Sequence, residues 1–162
     1  MNEEVFFPDD KFIISKTDKK GNVTYGNELF VSISGYGTQE IMGKPHSILR
    51  HSDMPKIIFK KLWEELQAGR EIFAYVKNKT KDGNYYWVIA FVTPSYDHKG
   101  NLLEYFSVRR KPEKSVIKNI IEPLYKELLS LENKGGVSAS STYLNSLLQT
   151  KGMTYEQFIF SL

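Results

Sequence analysis

Three short turns, each combining an aspartate with a Gly-Asn pair, divide this chain into runs suited to β-strands. They read DKKGN at 18–22, KDGN at 81–84 and DHKGN at 97–101. Glycine adopts the positive φ angles of tight hairpins without strain, and Asp and Asn side chains bond the turn backbone. The flanking runs are rich in β-branched and aromatic residues, which favour strands. The turns therefore predict five strands, at 11–16, 22–25, 71–80, 84–96 and 102–110.

The segment between the second and third strands predicts three helices. The first is opened by Asn27 and closed before Gly35, and the second is opened by Thr38. The third and longest follows Asp53, which can cap its first amides, and carries an apolar stripe. This order predicts an α+β fold, a five-stranded antiparallel sheet with the helical crossover on one face. The space between sheet and crossover can hold a planar ligand.

In the last third of the chain, the sequence predicts a helix, a flexible linker and a short tail, which we expect to be less ordered than the sheet domain. Apolar spacing indicates an amphipathic helix at 112–132, which Pro123 should kink or divide. The small and polar residues of 133–142 are typical of a flexible linker. A short helical tail follows at 143–162, either loosely attached or serving as a docking element. The predicted organisation is an N-terminal cap at 1–10, a sheet domain at 11–111, and these three segments.

Composition excludes several classes of function. The 162 residues include no cysteine, which excludes disulfides, thiolate metal sites, Cys nucleophiles and covalent Cys adducts. The net charge of +3 is too small to indicate nucleic-acid binding. The N-terminus does not resemble a signal peptide, and no apolar run is long enough to span a membrane. We therefore expect a cytoplasmic protein whose membrane contact, if any, comes through a partner.

Cations concentrate in two stretches, 43–62 and 109–118, each with five Lys or Arg residues against one acid. Most of these lysines are expected to form solvated faces. In the first stretch, however, Arg50 and His51 directly precede a helix N-terminus, where free amides already favour an anion. An arginine is also a good phosphate clamp. An alternative for Arg50 is a surface ion pair with Asp53.

Several strings resemble the PAS domain of bacterial aerotaxis and energy-taxis receptors. They are NELFVSISGY at 27–36, GKPH at 43–46, RHSDMP at 50–55, VKNKTKDGNYYWV at 76–88 and EPLYKELL at 122–129. The resemblance covers roughly residues 11–129, and the Arg-His-x-Asp-Met-Pro string is its most specific part. One departure is Ile72, where the family has an aromatic residue; here Phe73 follows it.

The resemblance implies a PAS fold that binds FAD without a covalent bond and senses the redox state of electron transport. The matching positions, implied to serve FAD binding, are Asn27, His46, Arg50, His51, Asp53, Trp63 and Asn78. The resemblance also implies a membrane-bound chemotaxis transducer as partner, so the chain looks like the sensor half of a two-protein receptor. A homodimer is left open.

Several of these residues also have a purely structural interpretation, including a lone histidine such as His46 and, if it faces solvent, Asn78. Asn27 can simply open a helix, Asp53 can be mainly an N-cap, and Trp63 can be core packing. Asn78 must be paired if it faces the helices, and the edge of a flavin would serve.

The sequence is also compatible, to different degrees, with functions other than a flavin sensor. A PAS interaction module without flavin would keep the fold and lose the ligand. A haem gas sensor could use His46 or His51 as axial ligand. A blue-light photoreceptor with a covalent flavin adduct is excluded by the lack of cysteine. An enzyme is disfavoured, because the sequence has no nucleophile–base constellation, metal-ligand spacing or glycine-rich phosphate loop.

Overall fold

The computed structural model of the protein describes residues 2–162. Five antiparallel strands form one sheet in the order β2-β1-β5-β4-β3. The strands are β1 (Ile13–Thr17), β2 (Val23–Gly26), β3 (Ile72–Lys79), β4 (Tyr85–Tyr96) and β5 (Leu102–Arg110). The predicted α+β fold is confirmed, and each strand lies within two residues of its predicted bounds.

The turns between strands form where they were predicted, with two different hydrogen-bond patterns. In the last turn, the Asp97 carboxylate accepts from the amides of Lys99 and Asn101 and from the Asn101 side chain. Asp18 is bonded in the same way in the first turn. The middle turn instead uses the Thr80 hydroxyl, which accepts from an amide. These bonds are all local, which is why the short motifs were sufficient to place the hairpins.

The crossover between β2 and β3 contains α1 (Glu28–Ser34), α2 (Thr38–Ile41), a 3₁₀ turn (His46–Leu49) and α3 (Lys56–Gln67). Asn27 caps α1 as predicted, because its side-chain oxygen accepts from the Phe30 amide, and Gly35 ends it with φ 77°. The second helix differs slightly, since Gly37 and not Thr38 is its N-cap. The apolar faces of these helices are buried against the sheet.

The predicted capping of α3 by Asp53 is wrong. Pro55 occupies the N-cap position, and the Asp53 carboxylate lies 2.7 Å from the Lys77 ammonium on β3. The first amides of α3, on Lys56 and Ile57, instead donate to the carboxylate of Glu132, at 2.8 and 3.1 Å. This acceptor comes from a helix 75 or more positions further along the chain, so no local motif could reveal it.

After β5 the chain forms α4 (Lys114–Val116), a π-helical turn (Ile117–Ile121), α5 (Glu122–Lys151) and α6 (Tyr155–Phe160). The π turn ends two residues before Pro123, which cannot donate a backbone hydrogen bond. It is the irregularity that was expected around this proline. No helix in residues 2–162 is both long enough and apolar enough to cross a membrane.

The end of the chain differs from the predicted linker and loose tail. Residues 133–142 are helical, and a single non-helical residue, Gly136 (φ 74°, ψ −172°), interrupts α5. The following segment is packed onto the domain through buried Leu144, Leu148, Phe158 and Ile159. The small residues that suggested flexibility allow close packing instead. Ser140 is fully buried, and its hydroxyl donates to Glu132.

The outer edge of β3 is covered by hydrogen bonds from other parts of the chain. The Tyr125 hydroxyl on α5 donates to the carbonyl oxygen of Tyr75. The amide of His51 donates to the carbonyl oxygen of Lys77, and the Lys77 amide lies 3.2 Å from the sulfur of Met54. The middle of this strand, at Tyr75 and Lys77, is therefore bonded on its outer side.

The opposite edge of the sheet, at β2, is short and is also paired. The amide of Val23 donates to the Lys44 carbonyl, and the amide of Gly43 donates back to the Val23 carbonyl. The His46 amide donates to the carbonyl of Gly21 in the preceding turn. These bonds also fix the position of His46 relative to the sheet.

Replacing Glu132 with alanine should destabilise the protein, because it leaves the first amides of α3 without an acceptor. We expect the free energy of unfolding to fall by about 1 kcal/mol, the usual size of a lost helix cap. Urea denaturation followed by circular dichroism measures this change. Glu127→Ala is the matched control, since Glu127 is an exposed carboxylate on the same helix. An equal loss in both variants would contradict the capping role.

Candidate functional site

A cavity of about 370 Å³ lies between α3 and the inner face of the sheet. The helix contributes Phe59, Leu62, Trp63 and Leu66. The strands contribute alternate residues, as expected for side chains that share one face: Ser15, Thr17, Val76, Asn78, Ala90, Val92, Tyr105, Ser107 and Arg109. Lys20, Gly21, Pro45, His46, Ser47 and Arg50 complete the lining. The cavity therefore has largely apolar walls and two polar regions.

One polar region is a buried cluster around Arg109 on β5. This arginine is 3% exposed. Its guanidinium donates to the hydroxyls of Ser15 (2.6 Å) and Ser107 (3.0 Å), and its Nη1 lies 3.2 Å from Nε2 of His46. Because a guanidinium can only donate, His46 Nε2 is the acceptor of this bond, and the proton of the neutral imidazole is on Nδ1.

Burial controls the protonation of this cluster. Desolvation, together with the nearby charges of Arg109 and Arg50, lowers the pKa of His46 to about 3. Desolvation also lowers the pKa of Arg109 to about 10, with the Tyr86 phenol acting in the opposite direction. At neutral pH the cluster therefore consists of a neutral imidazole and a charged guanidinium.

The second polar region lies at the mouth of the cavity. Arg50 is exposed, and its guanidinium carbon lies 3.6 Å from the centre of the Phe59 ring, a cation–π contact. Desolvation beside the ring lowers the pKa of Arg50. Trp63 meets Tyr105 edge to face, with ring centres 5.4 Å apart. Aromatic surface and a cation thus lie side by side at the opening.

The cavity brings together four of the seven predicted site residues. His46, Arg50, Trp63 and Asn78 all line it, and Asn78 is 4% exposed. Trp63 is partly exposed at the wall and is not part of the filled core. The predicted grouping of a cation, an aromatic ring and a buried amide around one space is therefore present in the geometry.

The other three predicted residues do not line the cavity. Asn27 joins three backbone segments, since its side chain accepts from the amides of Ile14 and Phe30 and donates to the Phe12 carbonyl. This network fully accounts for an asparagine at that position. The departure at Ile72 also lies away from the lining, and Phe73 beside it packs against Phe91 and Phe160.

His51 and Asp53 form a support behind the cavity wall. Nδ1 of His51 accepts from the Asp53 amide at 3.0 Å, and the Asp53 carboxylate binds Lys77. Lys77 precedes Asn78 on β3, and Arg50 forms a backbone bridge with Asn78. Desolvation lowers the pKa of His51, with a further contribution from the charge of Lys77. These two residues therefore act on the cavity through the backbone of Arg50 and Asn78.

Sequence reasoning missed Arg109 and its serine partners. Arg109 lies in the cationic stretch 109–118, where only most of the lysines were expected to be solvated, and no role was predicted for it; in the structure it is buried. A signal was available in the strand period, because Tyr105, Ser107 and Arg109 occupy alternate positions and so share a face. Arg110, next to it, is exposed.

A family model described as the PAS fold matches residues 23–109. The chain is 40% identical to the aerotaxis receptor of Escherichia coli over 120 residues, which are 74% of this chain and 23% of the receptor. It is 34% identical to the biofilm dispersion protein BdlA of Pseudomonas aeruginosa over 88 residues, 54% of this chain and 21% of that protein. The chain thus spans less than a quarter of the length of either relative.

A solved light-oxygen-voltage domain, studied with a flavin analogue, has the same fold. It matches with a TM-score of 0.60 at 23% identity, covering 72% of this chain and 87% of that one. The matched family region contains β2 to β5 and the whole crossover, which is more than half of the chain. The chain therefore belongs to the PAS family.

Proposed function

We propose that this PAS domain binds FAD non-covalently in the cavity and works as a redox sensor in energy taxis. The observation that carries the proposal is a buried, uncompensated guanidinium at one end of an apolar cavity whose mouth carries a second arginine. A flavin dinucleotide has the matching parts, a planar polar ring and a diphosphate. The similarity to the aerotaxis receptor and the sequence strings at 43–55 and 76–88 support the same assignment.

The residues of the cavity fit such a ligand. The volume lies in the range of small-molecule sites. Leu62, Leu66 and Val92 supply apolar walls, and the Asn78 amide supplies a donor and an acceptor inside them. Nε of Arg109 is buried and has no hydrogen-bond partner within residues 2–162. Buried donors usually have an acceptor, and an atom of a bound ligand could be that acceptor.

At the cavity mouth, Arg50 would hold the diphosphate, with Lys20 as a second cation. Trp63 and Tyr105 would limit the space around the ring. When bound, the flavin supplies a redox centre whose net charge depends on its oxidation state. The protein's own contribution is to hold the ring beside a neutral imidazole and a buried cation that are bonded to each other.

A change at the cavity can reach α5 by two routes. β3, which carries Asn78, is bonded to α5 through the Tyr75 carbonyl and the Tyr125 hydroxyl. α3, which carries Trp63, is bonded to α5 through the amides held by Glu132. Both walls of the cavity are therefore attached to the same helix. A ligand state that prefers one wall position would bias the position of α5, and the reverse holds equally.

The proposed partner is a membrane-bound chemotaxis transducer, which would read the position of α5. The domain would then work in the cytoplasm, at the inner membrane only through that partner, and would have no catalytic role. This part of the proposal rests on the likeness to the aerotaxis receptor.

The haem alternative has less support in the geometry. Nε2 of His46 is already bonded to Arg109 and lies 3.3 Å from the Ser15 hydroxyl, so it is not free to bind iron. His51 does not line the cavity. An interaction module without ligand would keep Arg109 buried without an anion. The free-energy cost of burying that charge would then have no functional explanation.

Protein expressed with ample riboflavin should purify with a flavin absorbance spectrum and release FAD on denaturation. Arg50→Ala should weaken FAD binding about tenfold, because it removes a charge-assisted bond to phosphate. Trp63→Phe should also reduce retention, by shrinking one wall. The measurements are absorbance of the purified protein and titration of apoprotein with FAD. Lys60→Ala is the control, since this exposed cation on α3 does not line the cavity.

Colourless protein that neither retains nor binds FAD would contradict the proposal and favour the interaction module. A Soret band would favour haem. Equal affinity of the Arg50 and Lys60 variants would remove Arg50 from the site.

Acid should destabilise the protein through His46. The folded-state pKa of His46 is about 3, below its ordinary value of 6.5, so the folded state disfavours the protonated imidazole. Stability is therefore fully present above pH 6.5 and falls as the pH drops from 6.5 toward 3. Between pH 7 and pH 5 we expect a loss of about 2 kcal/mol from this residue.

The measurement is the free energy of unfolding of apoprotein at both pH values, for the wild type and for His46→Gln. Glutamine can still accept from Arg109 but does not titrate, so the variant should lose less stability on acidification. His98→Gln, in an exposed turn, should behave as the wild type. The same acid sensitivity in all three proteins would contradict a neutral, partly buried His46.

A further inference from the structure

Arg109 is a buried cation without a carboxylate. None of the ion pairs formed within residues 2–162 includes it. Its hydrogen-bond partners are two serine hydroxyls and a neutral imidazole, and its Nε has none. Further favourable neighbours are the Phe30 ring, whose centre lies 5.3 Å from the guanidinium carbon, and the neutral Tyr86 phenol.

The other arginines are placed differently. Arg70 is paired with Glu65 at the surface. Arg50 and Arg110 are exposed, and Arg50 is also stacked on Phe59. Burying a charge without an opposite charge is costly, and such groups are usually paired or bound to an ion. The neutral partners orient Arg109 without cancelling its charge, and the residue lines the cavity.

We infer that Arg109 makes the cavity prefer the negatively charged, reduced form of the flavin ring over the neutral oxidised form. This inference rests on the proposed function. Uptake of one electron without a proton, or of two electrons with one proton, from an external reductant gives the ring a net charge of −1. The guanidinium attracts that charge, which the oxidised ring lacks, so the attraction acts on one state only.

The consequence is that Arg109 sets the potential range in which the sensor responds. A cation close to the ring raises the midpoint potential, because it stabilises the reduced state relative to the oxidised state. Ser15, Ser107 and His46 are positioning residues in this arrangement, since they hold the guanidinium but add no charge.

The test is a spectroelectrochemical titration of the full chain loaded with FAD. Arg109→Gln should lose at least a tenfold preference for the reduced state. That loss lowers the midpoint potential by about 59 mV for a one-electron couple or about 30 mV for a two-electron couple. Arg109→Met, an apolar chain of similar reach, should lower it at least as far. Arg109→Lys keeps the charge and should lie closer to the wild type.

Arg110→Gln is the matched control, because Arg110 is the adjacent arginine on β5 and is exposed. Its midpoint potential should equal that of the wild type. Circular dichroism verifies that each variant is folded before titration. A potential that is unchanged in folded, flavin-bound Arg109→Gln or Arg109→Met would overturn the inference and leave the proposed function intact. An equal fall in Arg110→Gln would overturn it as well, because a surface charge would then explain the effect. Wild-type protein that binds no flavin would overturn both.

Discussion

The whole arrangement depends on how one face of an antiparallel sheet is kept from water. The crossover between β2 and β3 must cover that face, and its apolar residues do so over most of the sheet. It does not close completely over the strands that carry Asn78 and Arg109, because apolar side chains packed there would bury the Asn78 amide and the charge of Arg109 without further partners. A hollow remains between α3 and the sheet. The cavity is thus a result of polar residues placed on the inner side of the strands, and the same residues give it its chemistry.

Most of the fold could be predicted from the sequence, because the signals that determine it are local. The turns at Asp18 and Asp97 are bonded within five residues, and Asn27 caps the helix that it opens. The larger features that escaped prediction depend on distant contacts. Glu132 reaches the start of α3 from a helix far along the chain. The packing of 133–162 depends on apolar residues meeting a surface that no sequence window contains.

The candidate site was predictable in part for the same reason. Arg50 and Trp63 lie close together on the crossover, and Asn78 belongs to a recognisable strand motif. Arg109 could not be placed by charge pattern, since its neighbours Arg110 and Lys111 are on the surface or partly so. His51 and Asp53 belong to the same motif as Arg50 but do not line the cavity. His51 accepts from the Asp53 amide, and the Asp53 carboxylate binds Lys77 on β3. A motif therefore marks the residues that matter without separating those that touch a ligand from those that support it.

The bonding of both sheet edges limits how this domain can associate with other proteins. β3 is bonded at its middle by Tyr125, His51 and Met54, and β2 is bonded by the backbone around Lys44. Recognition by strand addition, in which a partner extends a sheet through its main chain, is hindered at these positions. We therefore expect a partner to be recognised mainly by side chains, on the outer face of the sheet or along the helices. Specificity will accordingly reside in shape and charge at those surfaces, where single substitutions can redirect it without disturbing the sheet.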